Sequence, residues 1–207
     1  MEIEKLTIHG LTYKIYRQND DHGVHSEYMR RHGCSTCALT CLLSALVPEL
    51  ADRTPGQTLD VLKQQHPANF KRPMPLQMPI SMWGITKVLD KYGIEYKFVI
   101  DYEDRAAEEE IRQHLETGRP VLITVRNKDG KGKWAGSVHT MVLVGLDDDG
   151  KAIVCDSAQR SCADANSQRV KHGDISELVS FMWPARKPSK STFYKGRKGA
   201  SGYILIK

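Results

Sequence analysis

From Gly118 onward the chain is dominated by short apolar runs that follow one another closely: RPVLITVRN (119–127), SVHTMVLVGLD (137–147) and KAIVCDS (151–157). Each is rich in β-branched residues and of strand length. DDDG, between the second and third runs, is a hairpin signal, so these two strands pair antiparallel. IEYKFVI (94–100), ELVSFMWP (177–184) and the terminal GYILIK (202–207) read as further strands of the same sheet. A chain with this second half must bury a broad antiparallel sheet, and its other elements have to cover it.

The first half supplies helices. Ala38, Cys41, Leu42, Ala45 and Leu46 recur at three- and four-residue spacing, and Pro48 follows the end of that helix. Thr54-Pro55 is an N-cap followed by proline at the first helical position, opening a helix to about Gln65. KRPMPLQMP (71–79) is a proline-broken connector. A further helix over 79–93 stops at Gly93, and an amphipathic one over 102–118 closes at Gly118. At the start, LTIHGLTYKIYR (6–17) forms a small hairpin bent at His9-Gly10, and 18–27 is a polar loop. The expected class is α+β: one domain over 1–207, with a helical half (about 30–93) layered on a mainly antiparallel sheet half (about 94–207).

At 207 residues the chain can bury one sizeable core. A formal charge of +5 is mild, and the one dense basic stretch, RKPSKSTFYKGRKG (186–199), has too few aromatics for a nucleic-acid surface, so no nucleic-acid partner is expected. No apolar run approaches the ~20 residues of a membrane span. MEIEKLTIHG shows no secretory pattern, and five cysteines, three of them within eight positions, are not the framework of a disulfide-rich domain. Reduced thiols and a cytoplasmic location are the expectation. The oligomeric state is not legible.

Those three cysteines lie in RRHGCSTCALTCLLSAL (30–46) and admit three chemistries. Cys34, Cys37 and Cys41 could share a helix face as metal ligands, but a second ligand pair is missing, Cys155 and Cys162 being six intervening residues apart in a strand and a loop. C-x2-C at a helix start suits a redox pair, but the preceding DDHGVHSEYMRRHG has no strand period to feed it. No metal and no cofactor are therefore expected. A nucleophile demands the most: a base, a group to orient the base, and donors for an oxyanion. Cys34 at the helix head would have its thiolate favoured by the helix dipole and its own amide available to an oxyanion. Gly33 leaves room for that sharp approach. Cys37 and Cys41, one and two turns on, read as small core residues.

His139, at the head of HTMVLVG, is the candidate base. Across the hairpin stands Asp156. With a two-residue turn near Asp148–Asp149, position 139 pairs near 158, placing Asp156 opposite or diagonal on the same face. Its carboxylate would accept from Nδ1–H and leave Nε2 for the thiol. His22, His25 and His32 crowd Cys34 as alternative bases, although their local loop geometry is poor for a triad. His9, His66, His114 and His172 read as surface or turn residues. Trp134, in the glycine-containing loop before His139, is a candidate wall of the cleft.

HGCSTCALTCLLSAL resembles the nucleophile helix of papain-fold cysteine peptidases related to the bacteriocin-leader (double-glycine) processing peptidases. GRPVLITV and VHTMVLVGLDDDGKAIVCDSA are similar to their second block, and MWGITKVLDKYGI looks like the helix between the blocks. The likeness covers about 30–158. It implies a papain-like fold, Cys34 as nucleophile, His139 as base, Asp156 as orienter, a peptide or protein substrate, and an upstream glutamine as second oxyanion donor. The family places that glutamine a few residues before the cysteine. SEYMRRHG has none, which leaves Gln18 if the loop folds back. Ser157 replaces the proline usual after the aspartate, and Cys37 a small or hydroxyl residue. The function expected is thiol-dependent hydrolysis, or acyl transfer, at a peptide or related amide. A papain-like binding module without activity and a C-x2-C redox protein are the alternatives.

Overall fold

The computed structural model describes residues 3–74, 77, 79–126, 134–158, 169–182 and 202–207. The basic stretch 186–199 and Cys162 lie outside the described residues. The chain opens with a hairpin of β1 (Ile3–Ile8) and β2 (Leu11–Tyr16), paired in register Ile8↔Leu11 through Ile3↔Tyr16. Helices follow: α1 (Ser26–His32), α2 (Cys34–Leu46), α3 (Pro55–Gln65), α4 (Pro67–Phe70) and α5 (Met82–Lys91). The rest is β3 (Tyr96–Val99), α6 (Asp104–Glu116), β4 (Val121–Arg126), β5 (Val138–Leu146), β6 (Ala152–Cys155), β7 (Val170–Gly173), α7 (Ile175–Phe181) and β8 (Tyr203–Ile206).

Strands β3 to β8 form one antiparallel sheet in the order β3-β8-β4-β5-β6-β7. The terminal strand β8 therefore threads between β3 and β4. With the helices of the first half, this is the α+β arrangement that the distribution of periodicities implies.

α2 is the axis of the molecule. Every residue from Ser35 to Ser44 is buried, so this helix is enclosed all round rather than half exposed. Leu39, Leu42 and Leu43 meet Tyr13, Ile15 and Tyr16 of the hairpin, Leu59 and Leu62 of α3, Ile85 and Val88 of α5, and Leu122, Val142 and Val144 of the sheet. Thr54 and Gln57 make the reciprocal bonds of a capping box at the start of α3, with Pro55 at its first position, in line with the sequence expectation.

The sequence implies one helical layer, but both faces of the sheet are covered. Val121, Ile123, Val125, Met141, Leu143, Ala152 and Val154 alternate with the residues facing α2, and they bury against Ala107, Ile111 and Leu115 of α6 and Ile175, Leu178 and Val179 of α7. The cause is visible in β4 and β5, whose near-continuous apolar runs leave neither face fit for water. α7 replaces the strand expected over 177–184. Ile175, Leu178, Val179 and Met182 fall at helical spacing, a pattern hidden when the reading starts at Glu177. Met182 keeps a strand-like bridge, to Val125. Helix α1 also replaces part of what reads as polar feed; it buries only Tyr28 and Met29, too little to show a period.

Between β5 and β6 the turn is one residue longer than the two-residue loop expected, with Leu146 opposite Ala152 and Gly150 at φ +73. A bulge between Leu143 and Gly145 shifts the register, so Leu143 pairs with Val154 and Val142 with Cys155. Continued toward the strand end, that register puts His139 opposite position 158, as the sequence implies. Among the described residues no helix is long and apolar enough to cross a membrane.

Candidate active site

The head of α2 reaches the sheet where β5 begins. Cys34 is part-buried, His139 is 4% exposed and Asp156 is fully enclosed. His139, the Thr140 amide and Ser35 surround the Cys34 sulfur closely enough to lower its pKa. Ser35 is fixed in turn: its hydroxyl donates to the Ile80 carbonyl at 2.8 Å and lies 3.1 Å from Thr140 Oγ1. These bonds tie the first turn of the helix to β5 and to the segment before α5.

Nε2 of His139 lies 2.7 Å from Asp156 Oδ1. This reverses the tautomer expected from the sequence, because it leaves Nδ1, not Nε2, to face the thiol. The register accounts for it. Asp156 is diagonal to His139 rather than opposite, and Nε2, the nitrogen farther from the backbone, is the one able to span the diagonal. The carboxylate is fully engaged: the Ala158 amide also donates to Oδ1 at 2.8 Å, and Lys171 Nζ donates to Oδ2 at 2.8 Å.

Electrostatics follow the geometry. For Cys34, burial is the largest influence and raises the thiol pKa, but the hydrogen bond and charge of His139, with the Thr140 and Ser35 bonds, outweigh it and lower the value. For His139, burial again weighs most and disfavours the cation, yet the charge and hydrogen bond of Asp156, joined by Cys34, raise it from 6.5 to about 9. The two groups are driven toward a thiolate–imidazolium pair. Cys37 moves the other way: burial, then the neighbouring Cys34 and Cys41 sulfurs, push its thiol well up. The thiols of two cysteines three residues apart thus shift in opposite directions.

Gly33 serves close approach rather than a special backbone angle, for its φ is an ordinary −75. A Cβ built there would stand 2.4 Å from the Met29 carbonyl oxygen and 2.8 Å from Met29 Cα. Gly33→Ala should therefore push α1 off the head of α2 and cost about 1–3 kcal/mol. Urea unfolding measures this, and an unchanged midpoint would refute the close-approach reading.

Gln18 reaches the same neighbourhood, as a folded-back loop requires. Its backbone N–H donates to the Ser157 carbonyl at 3.1 Å, directly after Asp156, and its side-chain Nε2 donates to the Arg30 carbonyl at 3.4 Å. Its Oε1 is buried with no hydrogen-bond partner. Trp134 is not a cleft wall. It is 3% exposed in the core on the α6–α7 side of the sheet, its ring pressed on Gly173 and its indole N–H donating to Glu177 at 3.3 Å. An aromatic in a glycine-containing loop before His139 reads as a cleft wall, and nothing local shows that it folds under α7.

The alternative bases are engaged elsewhere. His22 Nε2 lies 2.9 Å from the Arg17 carbonyl, His25 pairs with Asp60 and Lys63, and His32 stacks at a tilt on Tyr28. Among the described residues no group of three His, Cys, Asp or Glu side chains is arranged to hold a metal. Lys171, Ser35 and Thr140 are the members of the site that sequence reasoning misses. For Lys171 the only signal is its place two residues after Arg169, on a four-residue strand too short to show alternation.

A thiol, an imidazole and a carboxylate in line at a helix head are common to many enzymes, so family membership has to come from the whole sequence. The model of the Peptidase_C39 like family matches residues 10–185, most of the chain. The chain belongs to the Peptidase_C39 like family. The resemblance to papain-fold cysteine peptidases drawn from the two motif blocks is thereby borne out. Among solved structures, the crystal structure of UfSP from C. elegans is similar, with a TM-score of 0.49 at 14% identity; the match covers 99% of this chain and 34% of that one. This chain thus spans about a third of that protein's length. A search of curated proteins finds no match.

Proposed function

We propose that this member of the Peptidase_C39 like family is a thiol hydrolase that cleaves a peptide or related amide through Cys34, His139 and Asp156. The supporting observation is the 2.7 Å bond from the His139 ring to the enclosed Asp156 carboxylate beside Cys34, with the thiol pKa lowered and the imidazole pKa raised. In this reading the Cys34 thiolate attacks the carbonyl carbon and the carbonyl electron pair moves onto oxygen. The Cys34 amide and the Gln18 side-chain amide donate to that oxyanion. As the tetrahedral adduct collapses, the C–N bond breaks and the imidazolium passes its proton to the departing amine. A thioester remains. Water, deprotonated by His139, then attacks it, releasing the acid and restoring the thiolate–imidazolium pair. An acceptor amine in place of water gives acyl transfer by the same steps. Asp156 holds the ring by Nε2 throughout and stabilises its cation.

The cytoplasm, where thiols stay reduced, fits the free state of Cys34, Cys37, Cys41 and Cys155. The test is a thiol-directed activity probe on wild type, Cys34→Ala and His139→Ala. Labelling should vanish in the first variant and fall sharply in the second. Equal labelling of all three proteins would end the hydrolase reading.

A further inference from the structure

Asp156 is shared. One of its oxygens faces His139, while the other is taken by a lysine from the neighbouring strand. Lys171 pairs in register with Val154, two residues before Asp156, and so stands on the same sheet face, diagonal to the carboxylate. Its side chain keeps a quarter of its surface exposed, whereas Asp156 is fully enclosed. The arrangement is built rather than incidental: the Asp156 amide donates to the Arg169 carbonyl at 2.8 Å, locking the strand ends together where the lysine must reach.

We infer that Lys171 is a positioning residue of this site: by holding Oδ2 of Asp156 it fixes which carboxylate edge meets His139 and limits the negative charge the imidazole feels. This deepens the triad reading and rests on it. An aspartate held by histidine alone would bind the imidazolium so firmly that its proton would be given up reluctantly. A second cation on the other oxygen moderates that hold while keeping the carboxylate from rotating. The acid needed at the departing amine is thereby kept available.

The neighbouring groups on the described elements have these partners. On β7, His172 pairs with Asp147. Arg169 donates its backbone N–H to Glu4 and its guanidinium to the Ile15 carbonyl. From β6, Cys155 turns to Cys41 of α2, its thiol pushed well up by that hydrogen bond and by burial. From α2, Cys34 is the group that meets His139.

The test is the pH profile of Cys34 alkylation by iodoacetamide in wild type, Lys171→Met, Lys171→Gln and Lys171→Arg, with thermal melts confirming that each folds. Wild type should show a low-pH limb from thiolate formation and an upper limb near 9, where His139 loses its proton. Removing the lysine cation should move the upper limb up by about one unit in both neutral variants. The arginine variant should restore it. If the wild-type profile has two limbs and the neutral variants superimpose on it, the inference on Lys171 is overturned while the triad stands. If wild type shows one limb at the value of an ordinary thiol, the triad reading falls and takes the inference with it.

Discussion

Asp156→Ala should lower folding stability by about 3–5 kcal/mol, the cost of stripping one partner from a buried ion pair. Asp156 is fully enclosed and receives His139, Lys171 and the Ala158 amide. Its removal strands all three, which come from β5, β7 and the segment after β6. The imidazole can shed its proton, but Lys171 must either swing to solvent or lose its charge. The loss also depends on pH. His139 has its pKa raised from 6.5 to about 9, so the stability it draws from Asp156 is full below the lower value and fades as pH rises through the upper one. The gap between wild type and variant should therefore narrow as pH passes about 9. Chemical denaturation at several pH values measures this directly. A gap that is small at neutral pH, or that widens above 9, would show that the carboxylate is not holding a cationic histidine.

The site was legible where it depends on hairpin arithmetic and helix ends. His139 and Asp156 are related by a strand register, and a register can be counted from turn to strand end. The count survived a longer turn because the bulge at Leu143–Gly145 gave back the residue that the turn had added. Cys34 was legible because the helix period begins just after it. What could not be read was long-range or two-sided. The choice between Nδ1 and Nε2 depends on whether the carboxylate lies opposite or diagonal, a matter of one register step. Trp134 shows no local sign that α7 will cover it, since the α7 segment itself reads as a strand. Lys171 meets Asp156 only because β7 returns beside β6 after an intervening segment. The second helical layer had a signal, the unbroken apolar runs of β4 and β5, which implies two covered faces rather than one.

Two layers also explain why the site sits where it does. The helix that carries Cys34 is enclosed on every side, so its head cannot drift relative to the sheet. The strand that carries His139 is central in the sheet, with β4 on one side and β6 on the other. Both candidate groups thus stand on well-anchored elements, an enclosed helix and an inner strand.

Cys34→Ala should then reduce turnover of an activated acyl ester, p-nitrophenyl acetate, by roughly ten-thousand- to a millionfold, since a catalytic unit loses most of its effect with any one member. Cys37→Ala should leave the rate within about threefold, because a well-placed buried residue of similar size mainly fills space. The contrast matters more than either value. Both cysteines belong to the same helix, but His139 and the Thr140 amide lower the pKa of the first while burial pushes that of the second up. Cys34→Ser sharpens the point. A serine hydroxyl keeps the hydrogen bond to His139 but does not ionise in this range, so it should be nearly as inactive as alanine while melting close to wild type. In the active protein, the acylation of an amide needs thiolate and imidazolium together, and its rate should fall as pH rises through about 9, where His139 releases its proton. Turnover that survives in Cys34→Ala, or that is lost in Cys37→Ala, would mean that the chemistry resides on a different sulfur from the one at the helix head.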